Sequence, residues 1–112
     1  MAMTPRELYN QMTNGEDVSG RMSAVHAMVA QKIISIQAGE LAREKCVKRV
    51  VFSPDGANPW LAVVDFTDGE LSENAQLTLA KMRQNAHDTT MIAEGDMTRI
   101  IFYVYTTEED AE

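Results

Sequence analysis

The sequence predicts an α+β fold, a mostly antiparallel four-stranded sheet with helices, in the order α-α-β-β-α-β-β. Three observations carry this expectation. Apolar residues recur at helical spacing before residue 46 and again across residues 72–86. Runs rich in β-branched and aromatic residues occupy 46–52, 60–66, 89–93 and 97–106. Within each pair of runs the connection is short and full of turn residues, which makes hairpins and hence antiparallel neighbours.

The first helix begins at Thr4-Pro5. Thr4 is a good N-cap, Pro5 suits the first helical position, and Glu7 stands three residues on from Thr4 to complete a capping box. Leu8, Tyr9 and Met12 share one face, and Asn14-Gly15 ends the helix after about Thr13. A longer second helix is expected from about Ser19 to Ala38. Met22, Val25, Met28, Val29, Ile33 and Ile36 supply its stripe, widened by Ala24, Ala27, Ala30 and Ile34. Gly39 marks a break, with a further helical turn from Glu40 to Lys45.

The pattern changes at Cys46. The runs Cys46–Phe52 and Trp60–Phe66 flank Ser53-Pro54-Asp55-Gly56-Ala57-Asn58-Pro59, concentrated turn chemistry that makes them a hairpin. A third helix runs from about Ser72, its cap, to Ala86, with Leu79 and Met82 on one face beside Ala75 and Ala86, and Leu77 further round. Strands Thr89–Ala93 and Met97–Thr106 follow, joined by Glu94-Gly95-Asp96. Residues 1–107 are read as one domain and 108–112 as a frayed acidic tail.

Composition narrows the function. At 112 residues, 45% hydrophobic and 24% charged, the chain is an ordinary globular domain rather than a disordered one. No apolar run approaches the roughly 20 residues that cross a bilayer. The opening Met1-Ala2-Met3-Thr4-Pro5-Arg6-Glu7 lacks the apolar core of a secretory signal, and one cysteine makes no internal disulfide. The expected setting is a reducing cytoplasm. The net charge of −7 is uneven: residues 1–50 hold seven Lys/Arg against five Asp/Glu, residues 51–112 three against twelve. This acidity disfavours nucleic acid and anionic membrane as partners.

No catalytic set emerges. His26 has no metal ligand at helical spacing, and His87, beside Asp88, suits the negative end of the third helix. Cys46 lies near Lys45 and Lys48 yet opens an apolar strand, which is the setting of a small buried hydrophobe. Asp65, Asp68 and Glu70 lack calcium-loop spacing and read as solvated turn carboxylates. Neither Ser53-Pro54-Asp55-Gly56 nor Glu94-Gly95-Asp96 is a phosphate loop. No metal and no cofactor are expected, and the chain is read as a binding protein rather than an enzyme.

The strongest functional signal lies in the strands. A half-buried strand alternates apolar and polar residues. Here Ile100, Phe102 and Val104 oppose Ile101, Tyr103 and Tyr105, while Trp60, Ala62, Val64 and Phe66 oppose Leu61 and Val63, with Asp65 the polar exception. Both faces of the sheet are apolar, three helices cover only one well, and the other needs self-association or a partner. The expectation is a small cytoplasmic protein, homodimeric through the long helix or the open sheet face, that occludes or sequesters a protein partner. Accessories of this kind are carried by phages and mobile elements as inhibitors of a host enzyme or defence complex. The expected contact residues are Trp60, Tyr103 and Tyr105, with Arg49 and Arg99 as charged neighbours. One alternative is a dimer that holds a small anionic ligand such as a nucleotide through Arg43, Lys45, Lys48, Arg49 and Arg99. Another is an acidic, secretion-chaperone-like protein that binds an extended segment along its sheet.

Overall fold

Backbone chemistry sets the element boundaries in the computed structural model, which describes residues 3–11, 24–54, 57, 59–67 and 69–105. The elements are α1 (Pro5–Gln11), α2 (Ala24–Leu41), β1 (Val47–Phe52), β2 (Trp60–Phe66), α3 (Glu73–Asn85), β3 (Asp88–Glu94) and β4 (Met97–Val104). The predicted α+β order is the observed one. The predicted end of the first helix at Asn14-Gly15, the start of the second with Met22, the Asp55-Gly56 and Asn58 turn positions, Asp68 and the acidic tail lie outside the described residues.

The capping box forms as its spacing requires. Thr4 N donates to Glu7 Oε1 at 3.1 Å, and Glu7 N donates to Thr4 Oγ1 at 3.1 Å. The Thr4 backbone N–H, followed by its hydroxyl, holds the Glu7 carboxyl below the usual carboxylate range. At α3, Ser72 Oγ accepts from Ala75 N at 3.2 Å, so both sequence-read caps act on orphan helix donors.

The four strands form one antiparallel sheet in the order β1-β2-β4-β3. The β3–β4 turn is two residues long, with Gly95 at φ 60° and no positive φ at Asp96, the arrangement of a type II′ turn. β1 carries a bulge: Val47 lies opposite Phe66 and Arg49 opposite Asp65, leaving Lys48 as the extra residue.

All three helices lie on one face of the sheet. Trp60, Ala62, Val64 and Phe66 of β2 and Ile100, Phe102 and Val104 of β4 point into the core. Burying each large side chain there contributes roughly 1.5–3 kcal/mol. From α3 come Ala75, Leu79 and Met82, the face its spacing predicts, while Leu77 is exposed. The short α1 packs Leu8 and Tyr9 against the core, and its Arg6 donates to Thr98 Oγ1 (3.2 Å), Gly95 O (3.1 Å) and Met97 O (3.0 Å), locking the helix to the β3–β4 hairpin.

α2 overturns two expectations. It runs through Gly39 to Leu41 without a break, because one glycine costs a helix only about 1 kcal/mol, which flanking turns outweigh. Four of its large apolar residues also face away from the core. Ala27, Ala30, Ile34, Ala38 and Leu41 are buried, whereas Met28, Val29, Ile33 and Ile36 are exposed, Ile36 at 64%. The physical reason is space: with Trp60, Phe66, Phe102 and Ile100 filling the layer above the sheet, α2 turns three alanines inward and only Ile34 and Leu41 as large side chains. Among the described residues no helix is long and apolar enough to cross a membrane.

Candidate functional site

The face of the sheet opposite the helices is built by strand alternation and by the β1 bulge. Simple alternation would turn Val47 and Arg49 to the same side. The extra residue at Lys48 lets Val47 face the core while Arg49 stands across from Asp65 on the other side. Asp65 is itself paired with Arg99 across the β2–β4 ladder. The result is a row of three charges spanning β1, β2 and β4.

Arg99 Nε donates to Asp65 Oδ1 at 2.7 Å, and its NH2 group donates to Oδ2 at 3.2 Å, a two-point contact. Arg49 donates to Oδ2 at 3.0 Å. Asp65 is only 3% exposed although it lies on the face away from the helices, because the two guanidinium groups cover it. The hydrogen bonds from Arg99, and after them those from Arg49, hold its carboxyl below the usual range against the opposing effect of burial. Both arginines remain substantially wet.

Next to this row lies an apolar one. Val51, Val63 and Ile101 stand side by side across β1, β2 and β4, and Leu61 pairs with Tyr103 in the row beyond. Val51 is exposed and the other four are half-buried. Tyr103 and Tyr105 stack with ring centroids 6.2 Å apart and planes 6° from parallel. Among the described residues no helix lies on this face. It is therefore an aromatic-ended apolar strip bordered by a fixed Arg–Asp–Arg row.

No family model, curated protein or solved structure matches this chain. What it can do must be argued from its own side chains.

Of the five residues expected to contact a partner, four stand on this face and one does not. Tyr103, Tyr105, Arg49 and Arg99 are there. Trp60 is a correction: it shares the side of Ala62, Val64 and Phe66, is 2% exposed, and stacks on Phe52 at 5.8 Å beneath the helices. Sequence reasoning assigned it by residue type, whereas its place in the β2 alternation puts it in the core. Ile101 stands on this face with Tyr103 and Tyr105 as its alternation predicts, and the residues missed were Val51 in the strip and Asp65 as the anchor of both arginines. The signal for Asp65 was present, since it is the one polar residue in the apolar run of β2.

The set considered for an anionic ligand does not converge. Arg49 and Arg99 are committed to Asp65, Lys48 is the bulge residue, and Arg43 and Lys45 are exposed in the connection between α2 and β1. The cleft lined by Thr4, Arg6, Thr67, Asp96 and Thr98 is closed to such a role by the three bonds that Arg6 makes within it.

The reactive residue types are also far apart. Cys46 precedes β1 at one edge of the sheet and His87 precedes β3 at the other edge and at the opposite end of the strands, roughly 25 Å away from three strand spacings across and about six residues along. Cys46 is buried, with its thiol pushed up by desolvation. His87 sets its ring edge-on to Tyr105 at 5.1 Å, and its Nδ1 is buried without a hydrogen-bond partner. His26 is exposed on α2. Asp65, the first member of the carboxylate cluster, is spent on the arginines, and Glu70 is exposed. Among the described residues no group of His, Cys, Asp or Glu could hold a metal ion.

Proposed function

We propose that this protein is a non-catalytic binding module that engages a protein partner along the open face of its sheet. The observation that carries the reading is the uncovered strip Val51–Val63–Ile101 with Leu61, Tyr103 and Tyr105 at one side and Arg49–Asp65–Arg99 at the other. Apolar surface that is continuous and rimmed by charge favours association, because covering it releases water while the rim fixes orientation. Tyrosine and arginine supply large contact area for few rotatable bonds, and pairing to Asp65 has already ordered both guanidinium groups. Among the described residues the cleft at Thr4, Arg6, Thr67 and Thr98 lies away from this face, which favours a macromolecular surface as its counterpart. The chain's acidity argues against nucleic acid as that counterpart.

In this reading the protein acts by occupying its partner's surface in the cytoplasm, as an inhibitor or sequestering accessory does. The test is differential capture. Wild-type and Tyr103→Ala/Tyr105→Ala proteins are immobilised and challenged with extract of the cells that contain the protein. A partner retained by the wild type and lost by the variant, with the variant's melting temperature unchanged, supports the reading. Retention of the same partner by both proteins removes this face as the binding site.

A further inference from the structure

We propose that two copies of this chain pair through α2, antiparallel about a two-fold axis beside Ile36. The surface involved is the far side of the domain from the open sheet face, so the pairing stands independently of the partner-binding reading.

At 100° per residue, Met28, Val29, Ile33 and Ile36 fall within about 140° of the helix circumference. The buried residues Ala27, Ala30, Ile34, Ala38 and Leu41 fall within about 80° on the opposite side. α2 is thus apolar on both sides, with its larger side chains outward. An apolar side this wide calls for a cover, and among the described residues the rest of the domain packs only against the other side of the helix.

Charge and shape along the outward side point to a second copy as the cover. Lys32 and Glu40 stand on that side, four residues before and four after Ile36. Both are exposed, and at eight residues or about 12 Å apart along the helix they are out of each other's reach within one chain. An antiparallel copy related by an axis at Ile36 sets Lys32 of each chain level with Glu40 of the other, making two identical opposite-charge pairs. The same axis brings the stem of Lys32 of each chain along the edge of the seam where Gly39 of the other lies, one residue off level. Gly39 has no use inside the single domain: a Cβ there meets nothing within 4 Å, and the helix geometry gives it no positive φ. A glycine that weakens its own helix is accounted for if a neighbouring side chain must sit over it. An interface in which one patch meets itself through a two-fold axis is the commonest arrangement of homo-oligomers.

The experiment is light scattering behind a sizing column, from micromolar to hundreds of micromolar, on the full chain of 12.5 kDa and five variants. The wild type is expected at twice the chain mass. Lys32→Glu and Glu40→Lys each place like charges opposite one another and are expected to raise the dissociation constant at least tenfold. The double reversal, Lys32→Glu with Glu40→Lys, is expected to restore the dimer. Ile36→Asp is expected to run as a single chain with its circular dichroism unchanged, since Ile36 contributes little to its own domain's core. A wild type of single-chain mass at every concentration overturns the proposal. So does a dimer indifferent to the single reversals, a double reversal that stays monomeric, or a dimer lost in Tyr103→Ala/Tyr105→Ala, which would move the interface to the sheet.

Discussion

Along β4 and the residue after it, Ile100, Phe102 and Val104 alternate with Ile101, Tyr103 and Tyr105, so one stretch of chain presents two faces of nearly equal hydrophobicity. The first three are completely buried under the helices, while the second three are only half-buried on the far side. α2 repeats the contrast in helical form, with Ile34 and Leu41 buried while Ile33 and Ile36 are exposed. In both elements the residue types are the same and the fates differ. Which side becomes core depends on where the other layers pack, and the side left over is where this protein has surface to spare for association.

The contrast can be broken most forcefully at adjacent residues of β4. Phe102→Ala removes a fully buried ring and is expected to cost about 3–5 kcal/mol by chemical denaturation. Tyr103→Ala is expected to cost less than about 1 kcal/mol, because its ring lies on the face without helices. Equal losses would mean that both faces carry the fold. The same comparison on α3 sets Leu79→Ala, expected to cost about 2–5 kcal/mol, against Leu77→Ser, expected within about 0.5 kcal/mol of the wild type.

A smaller effect sharpens the account of the open face. Asp65→Asn leaves Arg49 and Arg99 without their common carboxylate and is expected to cost about 1–2 kcal/mol, moderated because both guanidinium groups stay in contact with water. The sign with pH follows from the depressed carboxyl. The contribution is fully present above the ordinary Asp value near pH 4 and is lost as pH falls through the lower folded value. Urea titrations of wild type and Asp65→Asn are therefore expected to differ at pH 6, with the difference shrinking as pH falls below the ordinary Asp value. A gap with no dependence on pH would show that packing, not charge, makes the difference.

A further effect of about that size lies at Gly69. A Cβ there would stand 3.0 Å from the Cβ of Cys46, so the chain passes the start of β1 too closely for a side chain. Gly69→Ala is expected to cost about 1 kcal/mol, seen as a lower midpoint in thermal unfolding. No loss would mean that the Glu70 segment moves away freely.

Local signals were legible because they depend on neighbours in the chain. Thr4-Pro5-Arg6-Glu7 is a complete capping instruction, Ser72 another, and Gly95-Asp96 carries its hairpin turn, so these could be read without knowing what packs on them. Tyr103, Tyr105, Arg49 and Arg99 could be nominated as surface chemistry by residue type, and Trp60 failed by the same criterion. The bulge at Lys48 was not legible, since Val47-Lys48-Arg49 alternates acceptably on its own and only pairing with Phe66 and Asp65 shows the extra residue.

The sequence by itself determined which segments are helix and strand, that the strands pair as hairpins, and that there is more apolar surface than one core needs. These follow from backbone preferences, turn residues and composition, all of which act over a few residues. Only the tertiary structure decided that β2 and β4 lie at the centre, that Trp60 goes inward, that α2 turns its alanines to the sheet, and that Asp65 gathers two arginines from different strands. Each of those outcomes is a competition for limited space or for a partner far away in the chain. Volume and charge are balanced over the whole domain, and no short stretch of sequence contains that sum.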